Sequence, residues 1–217
     1  MFEDYDKAYS DHKNLFGAKE APLLKQWAER IPAGSRVLDI GVGQGRNALP
    51  LGRRGCDVTG IDTSQVAVDT VNAIAAQESL PVTAAVHDFL RYEPDRNFDV
   101  VLCFGLMPML DLGGCASLVE RLHHWTRPGG TLFLTAWHRD DPHFQTYGQT
   151  WEARSGRSFR HPEDGRHRLF LDAGEILKLF FRWEALHHWE GLGKAHRHGK
   201  GPSERHGEVE AVLIRPL

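Results

Sequence analysis

Val37-Leu38-Asp39-Ile40-Gly41-Val42-Gly43-Gln44-Gly45 is the stretch that decides the fold. Three apolar residues and one acid run straight into three glycines at alternate positions. Glycine permits a sharp turn and lets a ligand approach the backbone closely. A strand, a glycine-rich turn and then a helix make the opening unit of an open α/β sheet, where ligands bind at the carboxyl ends of the strands. Working outward, Arg36–Ile40 is the first strand, and residues 58–61, Val82–Val86, Phe98–Phe104 and 131–137 read as four more. Ala67, Val71 and Ile74, then Cys115, Leu118, Val119 and Leu122, fall at helical spacing between strands. Upstream, Leu24, Trp27, Ala28 and Ile31 share that spacing, with Pro22 suited to a first turn. Pro128-Gly129-Gly130 reads as a turn. Pro50 predicts a lost backbone bond and a kink in the helix after the glycines.

The last third is different. Residues 138–168 are polar and rich in Arg and His, without a clear period. Asp172 and Glu175 form a capping pair ahead of the apolar stripe Ile176, Leu177 and Phe180. Residues 183–190 and 208–214 alternate as two strands, and an antiparallel pair needs no crossover helix. The predicted fold is therefore α/β: a Rossmann-like, seven-stranded, mainly parallel sheet with helices on both faces and a C-terminal antiparallel hairpin. One domain is expected over 1–217, with a cofactor-binding half in 1–137 and a substrate side in 138–217.

Bulk composition narrows the class. The 217 residues are 41% hydrophobic and 25% charged, with a formal net charge of −3. That balance suits one globular domain and gives no drive toward nucleic acid or a membrane surface. No apolar run approaches a membrane span, and Met1-Phe2-Glu3-Asp4 lacks a secretory core, so a cytoplasmic protein is expected. Cys56, Cys103 and Cys115 show no CxxC spacing. Thirteen histidines are present without an HExxH or a mixed Cys/His set, and no metal is expected.

Two cofactor classes compete for the glycine turn. A dinucleotide fingerprint wants GxGxxG. Here Gly45 comes one residue early, and Arg46 stands where the last glycine belongs. Acids follow three successive strands: Asp39 before the glycines, Asp62 with Thr63 after the second strand, and Asp88 with Phe89 after the third. S-adenosylmethionine has a cationic sulfonium and an amino-acid tail in place of a pyrophosphate. Asp39 suits its ammonium group, Asp62 the ribose hydroxyls, and Asp88 the adenine amino group with Phe89 against the ring. Phe104-Gly105 closes the fourth strand, facing either this ligand or the core. Tyr5, Tyr9 and Phe16 either close over the ligand or simply pack.

Leu38-Asp39-Ile40-Gly41-Val42-Gly43-Gln44-Gly45-Arg46-Asn47, followed by Gly55-Cys56-Asp57-Val58-Thr59-Gly60-Ile61-Asp62, resembles the class I S-adenosylmethionine-dependent methyltransferases. Within them it resembles the tellurite-resistance methyltransferase family. The resemblance extends cofactor binding to Arg46 and Asn47. It also aligns Arg182-Trp183-Glu184, then His196-Arg197, then Arg205, with that family's C-terminal part. It implies that His196, Arg197 and Arg205 face the substrate and position an oxyanion. The spacing from Arg197 to Arg205 departs from the family pattern by about a residue, and 138–168 is longer than the family stretch.

The expected activity is methyl transfer from S-adenosylmethionine to a small molecule, such as tellurite, selenite or another soft or anionic nucleophile. A soft nucleophile needs no general base. A hydroxyl or amine would need one, and His196 or His198 could serve. The alternative is a non-catalytic protein that binds S-adenosylmethionine or S-adenosylhomocysteine for regulation. It would need the glycines, Asp39 and Asp62 but not His196 or Arg197. A monomer or homodimer is expected.

Overall fold

The computed structural model describes residues 4–195, 203 and 205–217. Helix α1, Tyr5–Asp11, starts where the Asp4 carboxylate accepts the Lys7 N–H, and α2, Pro22–Trp27, opens on a proline. Both starts satisfy or remove N–H groups that a helix cannot pair internally. Strand β1, Arg36–Ile40, leads through the glycine turn to α3, Ala48–Arg53. Then come β2, Asp57–Asp62, α4, Gln65–Glu78, and β3, Val82–Val86. Ser64 caps α4 by accepting the Ala67 N–H, and Ser79 ends it at φ +54°. Next are β4, Phe98–Phe104, α5, Leu112–Trp125, and β5, Thr126–Trp137.

The chain then makes an excursion: α6, Phe144–Thr150, with β6, Glu152–Ser155, β7, Ser158–Arg160, and β8, His167–Leu169. These three short strands form a separate antiparallel sheet. Helix α7, Glu175–Leu179, and strands β9, Glu184–Leu192, and β10, Gly207–Ile214, complete the fold.

The main sheet has the order β3-β2-β1-β4-β5-β10-β9. Strand β1 runs parallel to β2 and β4, and β2 to β3. Strand β10 lies antiparallel to both β5 and β9. The expected architecture is therefore present. Strands β1 and β4 are apolar nearly throughout, as strands covered on both faces must be. Two compact units divide the described residues, one up to Leu102 and the other from Cys103, so the boundary falls within β4. In the first, Leu24, Val37, Leu38, Ile40, Leu51 and Ile61 form the core. In the second, Trp125, Phe133, Phe170, Phe180, Val212 and Leu213 do.

Four local expectations need correction. Pro50 breaks nothing: it is the third residue of α3, within the first turn, where N–H groups have no partner inside the helix. Pro128-Gly129-Gly130 lies inside β5, with Gly129 at φ +71° bending a strand that starts at Thr126. The upstream helical stripe is shorter than its spacing suggested, since α2 gives way to a 3₁₀ turn at Ala28–Arg30. Ahead of α7 the pair works in one direction. Glu175 Oε2 accepts the Asp172 N–H at 2.9 Å, whereas the Asp172 carboxylate takes Arg139 at 2.6 Å instead of capping the helix.

Candidate functional site

The glycine turn is held from two sides. The Gly41 and Val42 N–H groups donate to the Ile61 carbonyl at 2.8 and 3.0 Å, so the turn folds back over the end of β2. The Gly43 N–H donates to Asp62 Oδ2 at 2.9 Å. Gly45 has two reasons to be glycine. Its φ is +79°, and a Cβ there would stand 2.9 Å from Leu49 Cδ1 and 3.0 Å from Val71 Cγ2. Gly43, at φ +50°, lies under a ring: the Tyr9 hydroxyl is 3.0 Å from where its Cβ would be.

Two carboxyls flank this turn. Asp39, on β1, is 2% exposed, and its Oδ2 has no hydrogen-bond partner. Burial pushes its pKa up to about 8, with the nearby Asp62 adding to the rise and Arg46 opposing it. Asp62 ends β2. Its Oδ1 accepts the Ser64 N–H at 2.9 Å while Oδ2 holds Gly43. Burial raises its pKa too, although the backbone donors of Ser64, Gly43 and Thr63 counteract this. A buried acid with an orphaned oxygen, beside a second acid, is a strong attractor for a cation.

The N-terminal segment covers the turn. Gln44 Oε1 accepts the Leu15 N–H at 2.8 Å, and its Nε2 donates to the carbonyls of Tyr9 at 3.2 Å and His12 at 2.9 Å. Arg46 donates to the Phe16 carbonyl, and Asn47 Oδ1 accepts the Ala21 N–H at 2.9 Å. Asp6 on α1 binds the Ser64 hydroxyl and the Val66 N–H at the start of α4. Tyr9 is 7% exposed. Its hydroxyl pKa is raised by burial and then by the fields of Asp62, Tyr5 and Asp39. Tyr9 therefore belongs to the acid cluster, a place its spacing in the sequence did not reveal. Gln44, an unremarked residue inside the motif, is the clamp that puts it there.

The remaining candidates are placed less centrally. Thr63 is exposed beside Asp62. Asp88 is exposed, with Oδ1 accepting the Leu90 N–H at 2.9 Å, and Phe89 is buried. Phe104, half-buried, ends β4 in the second unit, next to Gly105, whose N–H donates to Thr135 Oγ1 at 3.0 Å. Arg205 is exposed. It donates from Nε to the Gly193 carbonyl at 2.8 Å and from Nη2 to that of Leu192 at 3.4 Å. It thereby ties the start of β10 to the end of β9. His196, Arg197 and His198 lie outside the described residues. Trp183 is a core residue, donating from its indole to His123 Nδ1 at 3.0 Å.

Residues 37–130 match the family model described as a methyltransferase domain, which spans the glycine turn and the first four strands. Within the sheet order above, this stretch of the chain is similar to a methyltransferase domain. The chain resembles the probable S-adenosyl-L-methionine-dependent methyltransferase TehB of Haemophilus influenzae, to which it is 26% identical over 171 residues. That alignment covers 78% of this chain and 53% of TehB. Hemagglutinin 1 of Eikenella corrodens is 29% identical over 170 residues, 78% of this chain and 50% of that one. The chain thus spans about half the length of the curated relatives it matches. The crystal structure of TehB from Haemophilus influenzae shares the fold, with a TM-score of 0.72 at 20% identity over 98% of this chain and 67% of that one. No helix among the described residues is long and apolar enough to cross a membrane.

Proposed function

We propose that this chain transfers a methyl group from S-adenosylmethionine to a small molecule with a soft or anionic nucleophile, tellurite and selenite being the first to test. The observation that carries the reading is Asp39. Its orphaned, buried Oδ2 beside the glycine turn fits the ammonium group of the cofactor's amino-acid end. Gly41, Gly43 and Gly45 give that end close access to the backbone. Asp62, already anchored by backbone N–H groups that include those of Gly43 and Ser64, retains a lone pair for the ribose hydroxyls. Asp88 and Phe89 serve the adenine, with Thr63 alongside. Arg46 and Asn47 act on the cofactor indirectly, by fixing the segment that covers it.

The cofactor supplies an already activated methyl group, so the protein's share is alignment and exclusion of water. Tyr9 and the helix that carries it cover the glycine turn for that purpose. Residues 1–137 form the cofactor half and 138–217 the acceptor side. There His196, Arg197 and Arg205 hold the acceptor's oxyanion, Arg205 through the N–H groups that the Gly193 and Leu192 carbonyls do not take.

The deciding experiment incubates the chain with isotopically labelled S-adenosylmethionine and, in parallel, tellurite, selenite, thiols and thiopurines, followed by mass spectrometry. Methylated tellurium or selenium is expected, with at least a tenfold loss of rate in Arg197→Ala. Tight S-adenosylhomocysteine binding without any methylated product would replace the enzyme with a cofactor-binding regulator.

A further inference from the structure

Just beyond the carboxyl end of β5, the Asp141 side chain is fully buried. Its Oδ1 faces His143 Nδ1 at 3.1 Å, and its Oδ2 faces His206 Nδ1 at 3.0 Å. One ligand atom from each of the three residues lies within 4.8 Å of the other two. Each carboxylate oxygen also accepts a backbone N–H, Oδ1 from His143 at 2.7 Å and Oδ2 from Gly207 at 3.0 Å. The His206 ring stacks on Trp137 with centroids 4.9 Å apart and planes 10° apart. Two of the three groups are thus fixed by the fold, while the His143 side chain is 42% exposed.

We propose that Asp141, His143 and His206 bind a divalent first-row transition-metal ion, zinc being the first candidate. Two imidazoles and a carboxylate are the donor set such ions select. Bonds of about 2.0–2.1 Å at tetrahedral angles place neighbouring ligand atoms about 3.3 Å apart; the three ligand atoms here lie within 4.8 Å of one another, so an ion would draw them together, which the half-exposed His143 side chain allows. The backbone donors from His143 and Gly207 orient the carboxylate as outer hydrogen bonds orient metal-binding acids generally. The exposed flank of His143 leaves a path for the ion and a position for water.

The placement gives the ion a task. Asp141 and His143 open the excursion after β5, and His206 closes the segment between β9 and β10. The His138 N–H donates to the Gly207 carbonyl at 2.7 Å, so both segments leave the sheet at one point. A bound ion would staple the excursion to the end of the segment carrying His196 and Arg197. All three ligands lie in the second unit, and the site does not depend on the methyltransferase reading.

The untagged full chain, freed of metal by a chelator, is titrated with zinc chloride by calorimetry and with cobalt(II) by visible absorption, and melted with and without zinc. One tight equivalent, a tetrahedral cobalt spectrum and a raised Tm are expected. His143→Ala, at a surface position, should keep the metal-free Tm and lose affinity by at least about 100-fold, the upper range for losing an outer partner alone. Asp141→Asn should do the same if it folds. His12→Ala, outside the cluster, should bind as the parent does. Absence of a tight equivalent, or its survival in His143→Ala, overturns the site and leaves a hydrogen-bonded Asp–His clamp.

Discussion

The proposed cofactor site rests on Asp39 more than on any other single residue. Its carboxyl is buried, half-unpartnered and close to a second acid. A cation at that point satisfies it; the amide of Asp39→Asn cannot do so as well. S-adenosylhomocysteine affinity should therefore fall at least about tenfold in Asp39→Asn, corresponding to a charge-assisted hydrogen bond of about 1.5–3 kcal/mol. Calorimetry would read this directly. Affinity in the parent should also rise with pH between 6 and 7.5, as Asp39 ionises, and the variant should lose that slope. An unchanged affinity in the variant would remove Asp39 from the cofactor's partners. This residue was legible in the sequence because an acid between apolar strand positions is costly unless something uses it. Tyr9 was legible only as one of three aromatics that either cover the ligand or pack, since an aromatic near a terminus has no signature of its own. Only the three bonds from Gln44 show where the chain holds it.

Among the elements, the strand–turn–helix junction and α1 respond differently to substitution. Gly41→Ala meets open space and pays only for its φ of +75°, about 1–2 kcal/mol. Gly45→Ala pays that and also drives a methyl into Leu49 and Val71, adding about 1–3 kcal/mol. Urea unfolding should rank them in that order; equal losses would mean that the crowding relaxes freely. For α1, Gln44→Ala removes three hydrogen bonds, worth about 0.5–1.5 kcal/mol each. Amide exchange over residues 5–16 should accelerate while the strands stay protected, and bound S-adenosylhomocysteine should partly restore protection. Unchanged exchange would show that Asp6, Arg46 and Asn47 suffice. Strands were the most legible elements, because their apolar runs are short and bounded by glycine or proline. Strands β1, β3 and β4 fall at the expected limits. The small sheet β6–β8 was illegible: its strands are three or four residues long and rich in Arg and Ser, too short for alternation to register. The metal cluster was hidden for another reason. Asp141 and His206 are far apart in sequence and meet only because β5 and β10 pair antiparallel.

For the whole molecule, the buried acid sets a pH dependence. Unfolded, Asp39 ionises near 3.8; folded, near 8. Between those values the folded chain holds the extra proton, so a rise in pH costs stability, up to about 1.4 kcal/mol per pH unit. Below 3.8 the penalty vanishes, and above 8 it levels off. The stability of Asp39→Asn relative to the parent should therefore grow from pH 5 to pH 8 and then stay flat. Parallel curves for the two chains over that range would show that water reaches the carboxyl. The overall architecture was legible because it depends on the order of strands and helices, which periodicity reports. The acceptor was not, because it depends on a few polar side chains carried by connecting segments, where no period exists.

The excursion between β5 and α7 leaves and returns at one place. His138 and Leu171 form a β-bridge, the Arg139 N–H donates to the Leu171 carbonyl at 3.1 Å, and the Leu171 N–H donates to that of Trp137 at 2.7 Å. Its mouth is thus sewn shut by backbone alone, whatever lies inside. Lengthening such a closed loop is cheap, about 0.6 kcal/mol for each doubling. Insertions at its exposed turn, residues 162–164, can therefore come and go without shifting the register of a strand in the main sheet, whereas Asp141 and Phe170 are buried and must stay. That turn is a natural slot, one that can be changed by the cassette as well as by the residue.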